Sequence, residues 1–155
     1  FNANSTYTET AKIDKVIADD QKLRRTNKKI LVVDDSAIQR NRLNTMLTRA
    51  GYKVEVAVDG HDGLKKASST RFDAFCVDIV MPLMDGYEFV EQIRNTERFA
   101  KSPVFLVTGK NITSGAETRR IESLSIKRVL EKPVNEAEIL KELDSACHAS
   151  EIVEA

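Results

Sequence analysis

The chain has 155 residues, enough for one ordinary domain, and its mixture of 41% apolar and 31% charged residues is that of a globular protein. Lysine plus arginine and aspartate plus glutamate number 24 each, so the zero net charge argues against direct nucleic-acid or membrane contact. Two histidines are too few for a His-rich metal site. The isolated cysteines Cys76 and Cys147 suggest reduced thiols in a cytoplasmic protein.

Residues 1–27 differ in character from the rest of the chain. Apolar residues recur there at near-helical spacing among charged ones, namely Ile13, Val16, Ile17 and Leu23. The segment is either an N-terminal helical extension or a linker, and the pattern leaves both open. Residues 28–148 are expected to form the folded domain, and 149–155 a C-terminal tail. Because the chain starts at Phe1 rather than at Met, we expect a fragment of a longer protein.

The domain begins with a buried strand, a helix and an edge strand. Residues 30–33 are a continuous apolar run rich in β-branched residues, typical of a strand buried on both faces. Ser36 and Gln39 form a capping-box pattern for a helix that Gly51 ends. Residues 54–58 alternate between valine and other residues, which predicts a half-exposed strand at the edge of a sheet.

The same alternation of strand and helix continues to the end of the domain. Short apolar runs predict further strands at 74–77, 104–107 and 128–131, and helical patterns lie at 61–68, 87–94 and 115–124. Asp85 and Gly86 predict a tight turn before the helix at 87–94. Asn135 with Glu138 begins a last helix. Five strands that alternate with five helices predict a doubly wound α/β domain with right-handed crossovers.

Polar residues follow the buried strands of this pattern. Asp34 and Asp35 come after the first strand, Asp78 after the third, Thr108 after the fourth and Lys132 after the fifth. In open α/β sheets, ligands bind at the carboxyl ends of the strands, where the strand order reverses. If the first and third strands are neighbours, three carboxylates meet at this edge.

Three carboxylates in one crevice repel one another. Two unit charges about 4 Å apart cost on the order of 4 kcal/mol at an effective dielectric constant near 20. Protonation, a lysine or a cation relieves such repulsion. Oxygen ligands without histidine or thiolate suit Mg²⁺, and a carboxylate beside Mg²⁺ is able to accept a phosphoryl group. Thr108 and Lys132 would then hold the phosphoryl oxygens.

Four short motifs carry a resemblance to a known family. They are VVDDS at 32–36, VDIVMPLMDG at 77–86, VTG at 107–109 and EKP at 131–133. In this order and spacing they closely resemble the receiver domain of two-component response regulators, over residues 28–148. The resemblance implies the flavodoxin-like fold: a five-stranded parallel sheet in the order 2-1-3-4-5 with helices on both faces.

The resemblance also implies a metal site. Asp78 corresponds to the phosphoacceptor, and Asp35 to a direct Mg²⁺ ligand. Asp34 corresponds to a residue that holds the metal through water, and the main-chain carbonyl of Val80 to the third protein ligand. Mn²⁺ is expected to substitute for Mg²⁺.

The remaining roles concern the phosphoryl group. Thr108 resembles the switch hydroxyl of the family and Lys132 its phosphoryl-binding lysine, while Gly109 stands where a small residue leaves room for phosphodonors. The expected partner is a histidine kinase or a histidine phosphotransfer domain, whose phosphohistidine supplies the group that water later removes. The downstream output protein is not identifiable from the sequence.

The chain departs from the family pattern at three places. The aromatic residue that usually stands three positions before the lysine is Val129. The Gly-Ala pair before the last strand is replaced by residues 123–126, SLSI. Val80 and Lys110, two positions after Asp78 and Thr108, border the path of water to the phosphoryl group. The first departure places the family's aromatic switch in doubt.

The sequence leaves two origins open for the receiver and offers two alternative functions. The receiver is expected to come from the C-terminal part of a hybrid histidine kinase, or else to be a free-standing regulator. A Mg²⁺-dependent phosphatase of the haloacid dehalogenase type also uses an aspartate nucleophile, but would need Asp-x-Asp after the first strand. A degenerate receiver that only binds a partner conflicts with the intact residue set.

Overall fold

The computed structural model describes the backbone of residues 3–148 and the side chains of residues 9–148. Five parallel strands form one sheet in the order β2-β1-β3-β4-β5, which confirms the predicted fold class and places β2 at an edge. The strands are β1 Lys29–Val33, β2 Lys53–Ala57, β3 Ala74–Asp78, β4 Val104–Thr108 and β5 Arg128–Glu131.

Helices cover both faces of the sheet. They are α1 Ala3–Arg25, α2 Ala37–Ala50, α3 Gly60–Ser69, α4 Gly86–Arg94, α5 Gly115–Ser123 and α6 Glu136–Cys147, with a short 3₁₀ turn at Glu97–Phe99. Side chains of α2 and α6 share one core cluster with Ile30 and Val32, and those of α3 and α4 share the other with Leu31 and Val33. Alternate residues of β1 therefore serve opposite cores, as buried parallel strands require.

Side-chain caps begin the helices where the sequence indicated them. Ser36 accepts a hydrogen bond from the amide of Gln39, and Asn135 accepts one from the amide of Glu138. Gly51 ends α2 with φ of +115°, a left-handed conformation that favours glycine. Two of these local signals thus begin helices and the third ends one, at the positions that the sequence predicted.

The N-terminal segment is one long helix, and its apolar residues point to solvent. The exposed fractions of Ile13, Val16, Ile17 and Leu23 range from 53% to 71%. This helix contacts the domain at its C-terminal end instead. The Arg25 guanidinium donates two hydrogen bonds to Asp144 of α6, at 2.9 and 2.7 Å, and one to the carbonyl of Ala50 at 3.1 Å.

Other features of the chain bear on its classification. None of the helices among the described residues is long and apolar enough to cross a membrane. Cys76 and Cys147 are buried free thiols, and burial raises the pKa of each to about 12. They are therefore poor nucleophiles. The predicted tail 149–155 lies outside the described residues.

Candidate functional site

The polar residues singled out in the sequence meet at the carboxyl edge of the sheet. Asp34 directly follows β1, Asp78 and Thr108 are the last residues of β3 and β4, and Lys132 directly follows β5. The amide of Lys132 donates to the carbonyl of Thr108 at 2.8 Å, which extends the β4–β5 pairing to the site. The order reversal between β1 and β3 lies in the middle of this edge.

Lys132 lies between two of the three carboxylates. Its Nζ atom is 2.9 Å from Oδ2 of Asp34 and 3.3 Å from Oδ1 of Asp78. One oxygen each from Asp34, Asp35 and Asp78 lie within 4.8 Å of one another. The lysine charge thus partly relieves the repulsion that three such carboxylates would otherwise suffer.

Burial and neighbouring charges set the pKa values of Asp78 and Lys132. Asp34 and Asp78 are buried, with only 1% and 7% of their surfaces exposed. Burial and the charge of Asp34 raise the pKa of Asp78 to about 6, against the opposing effect of Lys132. Burial lowers the pKa of Lys132, but hydrogen bonds and charges from Asp34 and Asp78 outweigh it and raise that pKa. The lysine is therefore cationic and Asp78 ionised at neutral pH.

Local backbone contacts hold Asp34 in place. Its Oδ1 atom accepts a hydrogen bond from the amide of Ser36 at 2.9 Å, and its own amide donates to the carbonyl of Ala57 at 3.1 Å. Arg40 of α2 donates to the carbonyl of Asp34 at 2.9 Å. Asp35, by contrast, is exposed, so an ion has access to the cluster from that side.

The loop after β3 packs tightly behind Asp78. Asp85 caps α4 by accepting from the amide of Glu88 at 2.9 Å, in agreement with the tight turn predicted for Asp85–Gly86. The amide of Gly86 also donates to the carbonyl of Ile79 at 2.8 Å. A Cβ atom at Gly86 would lie 2.3 Å from the carbonyl oxygen of Asp78. Gly86 thus lets the start of α4 pack directly against the backbone of Asp78, a role that its turn signal did not reveal.

The mouth of the site is formed by Val80, Gly109 and Lys110, which follow Asp78 and Thr108 in the chain. The side chain of Val80 is 62% exposed. A Cβ atom added at Gly109 would meet nothing within 4 Å, so this flank of Thr108 is open. Lys110 turns to Glu117 of α5, with Nζ 3.1 Å from Oε1. Nothing in the sequence around Glu117 marks it as part of this region, since its partner Lys110 lies in the preceding loop.

The donor set fits a hard divalent cation. All three side chains that converge offer carboxylate oxygens, and the described residues bring neither histidine nor thiolate into this group. Mg²⁺ prefers such oxygens and commonly needs only one or two carboxylates besides water and phosphate. The buried pair Asp34 and Asp78 together with exposed Asp35 meets that requirement.

Comparison with known proteins agrees with this geometry. Residues 30–144 match the family described as the response regulator receiver domain. The chain belongs to this family. Protein PilG of Pseudomonas aeruginosa is 34% identical to this receiver over 113 residues, which cover 72% of this chain and 82% of PilG.

Solved structures of other receivers have the same architecture. The chemotaxis protein CheY4 of Vibrio cholerae is 35% identical, with a TM-score of 0.71 over 77% of this receiver and 98% of that chain. The receiver domain of a sensor histidine kinase of Pseudomonas aeruginosa, 26% identical with a TM-score of 0.69, covers 77% and 97%. That structure holds a magnesium ion coordinated in its active-site cleft. This receiver is therefore a domain of two-component signalling.

Proposed function

We propose that this receiver accepts a phosphoryl group on Asp78 from the phosphohistidine of a histidine kinase or histidine phosphotransfer domain. The observation that carries the proposal is the position of the Lys132 ammonium, within 3.3 Å of Asp78 and 2.9 Å of Asp34 at the carboxyl edge of the sheet. A cation held beside a buried, ionised carboxylate is the arrangement needed to receive an anionic group.

The transfer is a displacement at phosphorus. An Oδ atom of Asp78 forms a bond to the phosphorus, the P–N bond to the donor imidazole breaks, and the imidazole nitrogen keeps the electron pair. Because the pKa of Asp78 is about 6, its carboxylate is ionised at neutral pH and available as the nucleophile. Water later attacks the same phosphorus, and the Asp78 carboxylate leaves as orthophosphate forms.

Lys132 and Thr108 hold the transferred oxygens. Lys132 already contacts Asp78, so a phosphoryl group there would extend that ion pair to its own oxygens. The Oγ1 atom of Thr108 accepts a hydrogen bond from the amide of Lys110 at 3.0 Å. Its hydroxyl hydrogen is therefore left to be donated to a phosphoryl oxygen.

The same carboxylates would hold the metal. Asp34, Asp35, Asp78 and the carbonyl of Val80 are the proposed ligands of Mg²⁺, with Mn²⁺ as a substitute. When bound, the ion supplies positive charge that offsets the negative charge on the transferred oxygens. Lys132, which contacts Asp78, would add its own positive charge beside the phosphoryl group.

The test is to incubate the protein with acetyl phosphate and Mg²⁺ and to measure its intact mass. We expect one added phosphoryl group, labile to hydroxylamine, that is absent in Asp78→Asn and in excess EDTA. Asp14→Asn, which changes an exposed carboxylate of α1, is the matched control and should be labelled like the wild type. Labelling of Asp78→Asn would refute the assignment, and steady phosphate release from unrelated monoesters would favour a phosphatase.

The cellular location of the receiver and the protein to which it belongs stay predictions. A cytoplasmic location is supported by the two free thiols among the described residues. A place within a hybrid histidine kinase rests on the sequence argument alone.

A further inference from the structure

A chain of hydrogen bonds leads from Thr108 out of the site to α4. The amide of Lys110 donates to Oγ1 of Thr108, and Nζ of Lys110 is 3.1 Å from Oε1 of Glu117. The other carboxylate oxygen of Glu117 accepts from the hydroxyl of Tyr87 at 3.0 Å. Glu117 of α5 therefore joins the β4–α5 loop to the first turn of α4.

The contacts of Glu117 change its own pKa and that of Tyr87. Hydrogen bonds from Lys110 and Tyr87 lower the pKa of Glu117. Burial and the bond to Glu117 raise the pKa of Tyr87 to about 12. The guanidinium of Arg120 lies 4.8 Å from the centroid of the Tyr87 ring and pairs with Glu91 at 2.9 Å. Tyr87 is thus held at its hydroxyl and on its ring face.

Tyr87 also belongs to the hydrophobic core on the side of the sheet that α3 and α4 cover. Its side chain is 3% exposed and belongs to the apolar cluster against which Val129 packs. Val129 is the position where the family resemblance leads one to expect an aromatic ring. In this receiver β5 contributes a small β-branched side chain to the cluster, and Tyr87 of α4 is one of the aromatic rings in it.

We propose that Glu117 is a positioning residue that holds Lys110 and Tyr87 together in the unphosphorylated protein. It thereby opposes the inward movement of the Thr108 hydroxyl toward a phosphoryl group, which the resemblance to receivers implies for this switch residue. This inference rests on the proposed function of Asp78. When Thr108 moves inward, the Lys110 amide either loses its acceptor or follows it. If Lys110 follows, the contacts of Glu117 must stretch or break.

The effect of weakening this link has a definite sign. A phosphoryl mimic binds the state in which Thr108 has moved inward (the moved state). The more the free protein favours the other, unmoved state, the weaker the observed binding of the mimic is. Removing contacts that exist only in the unmoved state therefore strengthens binding of a phosphoryl mimic. One hydrogen bond or ion pair of this kind corresponds to about a 3- to 10-fold change in affinity.

Glu117→Gln and Tyr87→Phe break the two ends of the link separately. The glutamine removes the charge that pairs with Lys110 and keeps an acceptor for Tyr87, while the phenylalanine keeps the ring and removes the hydroxyl. Both variants should bind beryllofluoride in the presence of Mg²⁺ about 3- to 10-fold more tightly than the wild type. Because they interrupt one link, the double variant should gain less than the product of the single gains.

The titration is followed by calorimetry or by amide NMR shifts, because the chain has no tryptophan to report binding. Mg²⁺ alone is titrated in parallel. Its affinity should not change, since the carboxylate cluster does not include Glu117. If Glu117 served only the general stability of the fold, its substitution would not raise the affinity for beryllofluoride while leaving the affinity for Mg²⁺ alone unchanged. This difference between the two affinities is therefore the decisive measurement.

Two control variants match the test variants. Glu122→Gln makes the same change at an exposed position of α5, and Tyr52→Phe removes a different phenol–carboxylate hydrogen bond, to Asp144 of α6. Both should bind beryllofluoride like the wild type. If Glu117→Gln fails to fold, Tyr87→Phe provides the test.

The outcomes separate the two proposals. A wild type that does not bind beryllofluoride overturns the proposed function and this inference with it. A wild type that binds, with test variants that bind equally or more weakly, overturns the role of Glu117 and leaves the proposed function in place.

Discussion

Replacing Asp78 by asparagine should stabilise the metal-free protein, although the same change abolishes phosphorylation. The pKa of Asp78 rises from 3.8 to about 6 because the side chain is buried and faces Asp34. That rise corresponds to about 3 kcal/mol of unfavourable free energy for the ionised form in the fold. Asparagine keeps the shape without the charge, so Asp78→Asn should unfold with a free energy higher by about 2–3 kcal/mol.

The pH dependence gives the sign of this effect. In the unfolded chain the Asp78 carboxyl loses its proton near 3.8, whereas in the fold it keeps the proton until about pH 6. Between these values the folded state binds more protons, so the wild type loses stability as pH rises. The advantage of Asp78→Asn should therefore be absent below pH 3.8, grow up to about pH 6 and stay constant above it.

Urea unfolding in EDTA at pH 4, 5, 6 and 7.5 measures the difference, and a melting temperature higher by about 6–12 °C at pH 7.5 should accompany it. Asp14→Asn, an exposed change on α1, should follow the wild type at each pH. Added Mg²⁺ should stabilise the wild type and not Asp78→Asn. Equal stabilities at pH 7.5, or a difference that persists at pH 4, would refute the reasoning.

Two further predictions follow from the loops around the site. Gly86→Ala places a methyl group 2.3 Å from the carbonyl of Asp78 and should lower the free energy of unfolding by about 1–3 kcal/mol. Gly109→Ala, which meets nothing within 4 Å, should leave urea unfolding unchanged, and equal stabilities of the two variants would contradict this account. Beryllofluoride should slow amide hydrogen exchange most in residues 109–126 and less at Val129 and Leu130. A response confined to β5 would show that the missing ring at Val129 has no consequence.

The fold was predictable because its signals are local. The apolar run of β1, the alternation of β2 and the caps at Ser36 and Asn135 each involve residues within a few positions of one another. The candidate site was predictable for a related reason. Parallel strands bring their carboxyl ends to one edge, so Asp34, Asp78 and Lys132 had to converge once the strands were identified.

The features that escaped prediction depend on contacts between distant elements. Glu117 looks like an ordinary charged residue of an exposed helix, and only the packing of α4 against α5 brings it to Tyr87. Arg25 and Asp144 are 119 residues apart, and nothing in either neighbourhood marks them as partners. The turn at Gly86 was predictable from the sequence, but the close approach of its backbone to that of Asp78 was not.

The anchoring of α1 by Arg25 has a consequence for the geometry of signalling. Arg25 binds next to Ala50 and the last turns of α6, at the end of the sheet where the strands begin, whereas Asp78 lies where they finish. Strands of five residues separate the two ends by roughly 16 Å. A phosphohistidine donor that approaches Asp78 and the contact that anchors α1 through Arg25 thus lie at opposite ends of the sheet. Both could be engaged at once without competing for the same space.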